Sequence, residues 1–443
     1  MCAAFVLLLA LSLPSLQTAA TPAEQRANLA AQHEIDTSPA DGNLPSYSLK
    51  PADLVKGRHL ERVRTTLHFT GELWGVLQLV LLLSLGVIAR LQAAVQARLR
   101  NRWLQSYAFV ALLLIVTELL HLPLALYGHA QSLAYGLSVQ SWLSWFADIG
   151  KSLLLTWGEG GLILMLLTLT IRRCPRRWWL AFWFASVPIT LLGVFVTPYV
   201  IDPLFNTFEP LQQANPALVE RLEQVAQRGH MNIPADRMFL MKASDKVTTL
   251  NAYVTGFGAS KRVVVWDTSI AQGKPDEILF LFAHESGHYV LHHIVRGIVM
   301  VLAALLPLLY LAHLLLRWCL LRFRRSWGIA SHSEWAAAVV LLLIFSVFNV
   351  ALEPLQSALS RQQEHAADVY GQEAIHGIVQ DPRAAAHDAF QVLGATSFDD
   401  PNPPRWLEFW TYSHPAIGRR AAFAAHYDPW AAGATPKYFA SDR

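Results

Sequence analysis

Residues 277 to 289 read Glu277-Ile278-Leu279-Phe280-Leu281-Phe282-Ala283-His284-Glu285-Ser286-Gly287-His288-Tyr289, an apolar run that closes on the pattern HExxH. On a helix, residues four apart share a face. His284 and His288 can therefore bring both imidazoles to one Zn2+, with Glu285, one position round, placed to polarise a water on the metal. Pro275 suits a helix start, Asp276 and Glu277 suit a first turn, and Ile278 to Ala283 contain no breaker. The plain alternative is a core helix whose histidines bond to backbone or water. It leaves Glu285 as a carboxylate that is costly to bury unpaired. Three fixed letters recur by chance, so the surroundings must decide.

Of the 443 residues, 53% are hydrophobic and only 15% charged, and the mean hydropathy is +0.32. That balance excludes an ordinary soluble enzyme and indicates a membrane protein. The formal net charge of +3 is small. The basic residues cluster in short loops beside apolar segments, so they read as topology signals, and no nucleic-acid motif is present. Cys2, Cys174 and Cys319 are scattered and match neither a disulfide framework nor a thiolate metal site.

Residues 1–20 carry a short apolar core, Ala3 to Leu11, followed by Thr18-Ala19-Ala20, which reads as a signal peptide or a short anchor. Residues 21–73 read as an exposed arm with some helix from about Pro51 onward. Residues 74–200 hold four spans: Trp74 to about Val95, Ser106 to Tyr127, Ser152 to Ile171 and Trp178 to Val200. Residues 201–295 form a peptidase segment containing the HExxH helix. Residues 296–356 hold two more spans, about Arg296 to Leu316 and Trp335 to about Leu355, and residues 357–443 form a C-terminal peptidase segment. No obvious linker separates these spans from their neighbouring motifs, so the HExxH helix is expected to run into the membrane.

Arg98, Arg100 and Arg102, then Arg172, Arg173, Arg176 and Arg177, then Arg317, Arg322, Arg324 and Arg325 occupy three loops on one side. The loop from His129 to Lys151 on the other side has a single Lys and no Arg. The positive-inside rule makes the basic loops cytoplasmic and puts the HExxH motif and the C-terminal tail on the exocytoplasmic face, the periplasm in a bacterium. Arg58, Arg62 and Arg64 count against this, since they share the motif's side. Within the spans, Glu118, His121 and Glu159 hint at a polar interior, with helix–helix hydrogen bonding as the plain alternative.

A zinc peptidase needs a third protein ligand and an open fourth position. The best candidate stretch is Ser360-Arg361-Gln362-Gln363-Glu364-His365-Ala366-Ala367-Asp368. Glu364 and Asp368 share a helical face, which suits a ligand plus a carboxylate that orients a ligand imidazole. His365 is the rival ligand, pointing about 100° away. A solvated face is the plain alternative for both acids.

HExxH, a pair of spans and then Ser-Arg-x-x-Glu-x-x-Ala-Asp resembles the integral-membrane gluzincins of the CAAX prenyl protease type I family. The resemblance extends to Pro203-Leu204-Phe205-Asn206 with Pro210-Leu211, to Asn251-Ala252-Tyr253 with Gly256, to Lys261 through Thr268, and to Ser413-His414-Pro415 with Arg419. It covers roughly Trp74 to Tyr427, in the family's order. It implies a mainly α fold: a polytopic bundle of six spans plus the N-terminal segment, a helical zinc-peptidase domain, and a small β-hairpin around Asn251 to Asp267, with the spans enclosing a large polar chamber.

For the site, the resemblance implies one zinc per chain held by His284, His288 and Glu364, with Glu285 as general base. It implies that Asp368 orients a ligand histidine with Arg361 in support, and that His414 and Arg419 approach the scissile carbonyl. Asn251, Ala252, Tyr253 and Gly256 would be an edge strand for an extended peptide or protein substrate. His293 matches a histidine of the family's extended HExGHxxxxH and is read as structural by default. The expected partners are substrate and the lipid bilayer, with no nucleic acid and no second protein needed for the site. The run Ser244 to Leu250 departs from the basic Ser/His-rich run of eukaryotic members, and with the exocytoplasmic placement it speaks against prenylated CAAX substrates. A quality-control membrane protease related to the heat-shock gluzincins, and an inactive membrane scaffold, remain as alternatives.

Overall fold

Apolar helices dominate the computed structural model, which describes residues 46–256, 261–401, 403–431 and 433–440. Among the described residues, six helices are long and apolar enough to cross a membrane: Pro51–Ser84, Arg102–Ala134, Trp142–Arg173, Trp178–Phe205, His293–Trp327 and Trp335–Ala374. The apolar run within residues 1–20 lies outside the described residues. Side-chain caps start two of these helices. Asn101 accepts from the Trp103 N–H at 2.8 Å, and Ser141 accepts from the Ser144 N–H at 3.3 Å.

The helices overrun the apolar segments in an informative way. The first begins at Pro51, more than five turns before Trp74, so much of the expected arm is helix continuous with the first apolar segment. It ends at Ser84, where Gly86 adopts φ 67, and a separate helix runs Val87–Arg98. The apolar pattern continues across Gly86, so only the left-handed backbone marks the break. The sixth helix runs unbroken from Trp335 to Ala374 and carries both a membrane span and the Glu364 stretch.

Two cores result. One lies among the spans, built on Leu83, Ile163, Leu167, Phe182, Leu309, Leu316 and Trp335. The other lies beneath the HExxH helix, Pro275–Val290, where Leu279, Phe280, Phe282 and Ala283 are buried with Leu222, Tyr370, Phe390 and Ile417. Burying Phe280 and Phe282 contributes roughly 1.5–3 kcal/mol each and fixes which face of the helix turns inward. Pro275 begins this helix, and the Glu277 carboxylate accepts from the Lys274 N–H at 2.8 Å.

The expected hairpin is present as β3 (Ala252–Thr255) and β4 (Arg262–Trp266), and it forms half of a four-stranded sheet. β1 (Phe208–Pro210) pairs antiparallel with β2 (Met238–Met241), and β2 lies parallel to β4, giving the order β1-β2-β4-β3. In the β3–β4 ladder Ala252 faces Val265 and Tyr253 faces Val264. β3 is an edge strand and packs beside the HExxH helix. Asn251 and Gly256 flank it without belonging to it, and Gly256 has φ 89.

Candidate active site

Two helices carry the candidate metal-ligating side chains, and small residues let them touch. At Gly287 of the HExxH helix an added Cβ would lie 3.0 Å from the Tyr370 ring, and at Gly371 of the sixth helix it would lie 2.9 Å from the His284 backbone nitrogen. The crossing brings His284, His288 and Glu364 together, with one candidate ligand atom from each within 4.8 Å of the others. The His284 and His288 Nε2 atoms are 3.2 Å apart. Glu364 Oε2 is 3.2 Å from His284 Nε2, and Oε1 is 3.4 Å from His288 Nε2.

Those separations test whether the residues suit a metal. Ligands bonded at about 2.0–2.1 Å to a tetrahedral ion are about 3.3 Å from one another, so the two Nε2 atoms and the Glu364 carboxylate, which turns one oxygen to each of them, have the spacing of donors around one such ion. The donor set of two imidazoles and one carboxylate fits zinc, and each imidazole has a partner behind it. His284 Nδ1 lies 2.9 Å from Asp368 Oδ1, and His288 Nδ1 lies 3.1 Å from His293 Nδ1. Burial opposes a charge on His284, but the Asp368 and Glu364 carboxylates outweigh it and hold its pKa up at about 9.

The rival ligand is elsewhere. His365 is exposed and meets the Phe423 ring, whereas Glu364 is 4% exposed and faces the imidazoles. Glu285 is half-buried, next to His284 on the same helix. His414 Nε2 lies 3.3 Å from Glu364 Oε2, and its Nδ1 is 2.8 Å from Ser413 Oγ. The C-terminal motif thus reaches the cluster through His414.

Two arginines differ from expectation. Arg361 does not support Asp368. Its guanidinium donates to the carbonyl oxygens of Glu408 at 2.9 Å and Tyr412 at 2.6 Å, and so ties down the segment leading to His414. Arg419 pairs with Glu408 and stays off the cluster. Arg420 makes the contact with Asp368 that was expected of Arg361: it donates to Asp368 at 2.8 and 2.9 Å and lies 3.7 Å from Glu364. The reason is helical phase. On the helix Ile417–His426 the buried residues include Ile417, Arg420, Ala421 and Ala424, so position 420 faces inward and position 419, about 100° round, does not. The spacing of Ile417, Ala421 and Ala424 in the sequence was the signal that could have selected Arg420.

The residues expected to form a substrate strand lie beside the HExxH helix. The Asn251 N–H donates to Ser269 Oγ at 2.8 Å, and Ser269 Oγ donates back to the Asn251 carbonyl at 2.8 Å. This locks the entry to β3. Tyr253 turns toward Met241, Val264 and Trp266, away from the open edge.

Comparison with known proteins bears on the whole arrangement. Residues 212–428 match the model of peptidase family M48, and residues 45–207 match that of the CAAX prenyl protease N-terminal region, described as five membrane helices. The chain is 35% identical over 381 residues to the Bacillus subtilis metalloprotease YhfN, covering 86% of this chain and 87% of that protein. It is 28% identical to CAAX prenyl protease 1 of Saccharomyces cerevisiae over 71% of each. The crystal structure of S. mikatae Ste24p shares the fold with a TM-score of 0.74, at 23% identity, over 86% of this chain and 90% of that one. With both family models matched in order along the chain, and the M48 segment containing every residue of the histidine–carboxylate cluster, the protein belongs to peptidase family M48, on its CAAX prenyl protease branch, and is an integral-membrane metalloendopeptidase.

Proposed function

We propose that the chain hydrolyses peptide bonds at a single zinc ion held by His284 and His288 through Nε2 and by the Glu364 carboxylate. The observation that carries this reading is the set of 3.2–3.4 Å separations among those three groups, the spacing of ligands around one tetrahedral ion. Bound there, zinc supplies Lewis acidity and lowers the pKa of a water toward neutrality. Glu285 accepts the proton of the attacking water and returns it to the leaving amine, so one carboxylate serves as base and then acid. His414, beside Glu364, is placed to donate to the oxygen that gains charge in the transition state. Asp368 fixes the His284 tautomer by accepting from Nδ1, and Arg420 compensates the Asp368 charge. The open edge of β3 offers backbone N–H and C=O groups to an extended peptide, with Ala252 to Thr255 providing the ladder and Asn251 and Gly256 its ends. The active site faces the exocytoplasmic side, so its substrates are peptide segments exposed there.

The test is metal content and peptide cleavage of detergent-purified protein, wild type beside Glu285→Gln. Both should hold one zinc per chain, and the variant should lose about 10²–10⁴-fold in kcat. Wild type without zinc, or a variant that cleaves normally, would overturn the reading.

A further inference from the structure

His288 raises a question that His284 does not. Each imidazole offers Nε2 to the cluster, so each has an N–H at Nδ1 that needs an acceptor, because a ligand histidine is held in register by what its second nitrogen donates to. For His284 the group in reach is the Asp368 carboxylate, 2.9 Å from Nδ1. For His288 the atom in reach is His293 Nδ1, at 3.1 Å, with the two rings at 74°. His293 is 6% exposed.

The backbone is bent to make this contact. On an unbroken helix, residues five apart point about 140° away from one another and their rings do not meet. Here the HExxH helix stops at Val290, His292 takes φ 58 and ψ 30, and the fifth spanning helix starts at His293. His292 is exposed, so the left-handed conformation at a residue with a Cβ is not explained by its own packing. What the turn achieves is to fold His293 back beneath His288 while the chain continues toward the bilayer. The Arg296 N–H donates to the His292 carbonyl at 2.9 Å, so the new helix begins at once.

We infer that His293 is a positioning residue for the metal centre: as the Nε2–H tautomer, its Nδ1 accepts the His288 Nδ1–H and holds the His288 ring with Nε2 toward the ion. The two ligand histidines then have different supports, an anionic carboxylate for one and a neutral imidazole for the other. The fifth span becomes part of the metal site's scaffold, because its first residue orients a ligand. The inference rests on the proposed ligand set.

Asn and Leu share a shape, but only Asn presents an acceptor where His Nδ1 stood, so His293→Asn and His293→Leu separate hydrogen bonding from packing. Zinc retention against a chromophoric chelator should fall about 10–100-fold in His293→Leu and be largely restored in His293→Asn. The absorption of the Co2+-loaded protein should be altered in the first and close to wild type in the second. His288→Ala is run alongside. If it holds zinc as wild type does, the ligand set is wrong. If it loses zinc while His293→Leu keeps it, only the inference about His293 fails. Equal loss in both His293 variants also overturns the inference, since packing alone would then explain the residue. Should His293→Leu not fold, Co2+-loaded wild type still decides. Two slowly exchanging, paramagnetically shifted imidazole N–H signals are expected, and a single one would refute the contact.

Discussion

Arg420 and Arg419 are neighbours with opposite surroundings. The Arg420 side chain is 9% exposed and faces Asp368 and Glu364, and its guanidinium also lies over the Phe390 ring at 4.6 Å. The Arg419 side chain is 38% exposed and pairs with Glu408. Replacing Arg420 with Met leaves the buried Asp368 carboxylate with His284 as its remaining charged partner, so thermal unfolding in detergent should show a loss of about 3 kcal/mol. Arg419→Met should cost less than about 1 kcal/mol. Equal losses would show that helical phase does not separate the two. A second residue-scale consequence concerns protons. In the metal-free protein the His284 pKa stands near 9, above its ordinary 6.5, so at pH 7 the imidazole is charged and zinc must displace that proton. The sign follows: the ion pair with Asp368 stabilises the metal-free protein fully below about 6.5 and is lost as pH rises through about 9, while zinc affinity rises over the same window. Calorimetric titration with zinc at pH 7, in two buffers of different ionisation heat, should report close to one proton released from His284, and none released would refute the assignment. HExxH and the Glu364 stretch, which the structure brings together, were legible in the sequence as candidate ligands because ligand chemistry restricts which residue types can serve. Choosing between adjacent arginines needed the rotation of a short helix.

At the scale of elements, the site depends on how closely two helices cross. The sixth helix presents Gly371 to His284, and a Cβ there would meet the His284 backbone nitrogen at 2.9 Å and its Cα at 3.0 Å. Backbone cannot yield as a flexible side chain does. Gly371→Ala should therefore separate the helices by a few tenths of an ångström or more, cost about 1–3 kcal/mol, and weaken zinc retention by shifting Glu364 away from the imidazoles. Gly150→Ala, in the third spanning helix with nothing within 4 Å of the added Cβ, is the control and should leave zinc binding unchanged. A thermal shift and a chelator competition on both variants decide it, and equal behaviour would refute the argument. The long apolar helices could be read from length and hydropathy, since a bilayer demands both. Their interruptions could not. Gly86 and His292 break helices inside sequence that continues the same pattern, because the turn is selected by tertiary contacts such as that of His293 with His288. β1 and β2 were missed for a related reason: strands of 3 and 4 residues have too few alternations to register and exist because β4 is there to pair with.

Across the whole molecule, the question is which way the bundle faces. The loop between the second and third spans is tied to the catalytic end: Ser138 bridges to Val247, the Val139 N–H donates to the Lys246 carbonyl at 2.9 Å, and Lys246 Nζ reaches Asp148 at 2.5 Å. That is the loop poor in arginine. The helix ends and turns holding Arg98 to Arg102 and Arg172 to Arg177, and the last turns of the fifth spanning helix, which hold Arg317 to Arg325 where a loop was expected, lie at the other end. Arg58, one of the three arginines on the motif's side that count against reading orientation from charge, is 3.4 Å from Asp400, while Arg62 and Arg64 remain on that side of the count. Each basic cluster would have to cross the bilayer if the chain were inverted, and the positive-inside bias resists that for every one of them. A reporter enzyme active only outside the cytoplasm, fused after Tyr427, should therefore be active, and the same reporter inserted after Arg325 should be silent. Substituting Glu for Arg172, Arg173, Arg176 and Arg177 together should reduce the first signal, because it removes one of the three basic clusters on which the positive-inside reading rests. Activity after Arg325 with silence after Tyr427 would place catalysis in the cytoplasm and reopen prenylated CAAX termini as substrates, while leaving the histidine–carboxylate cluster and its metal unchanged.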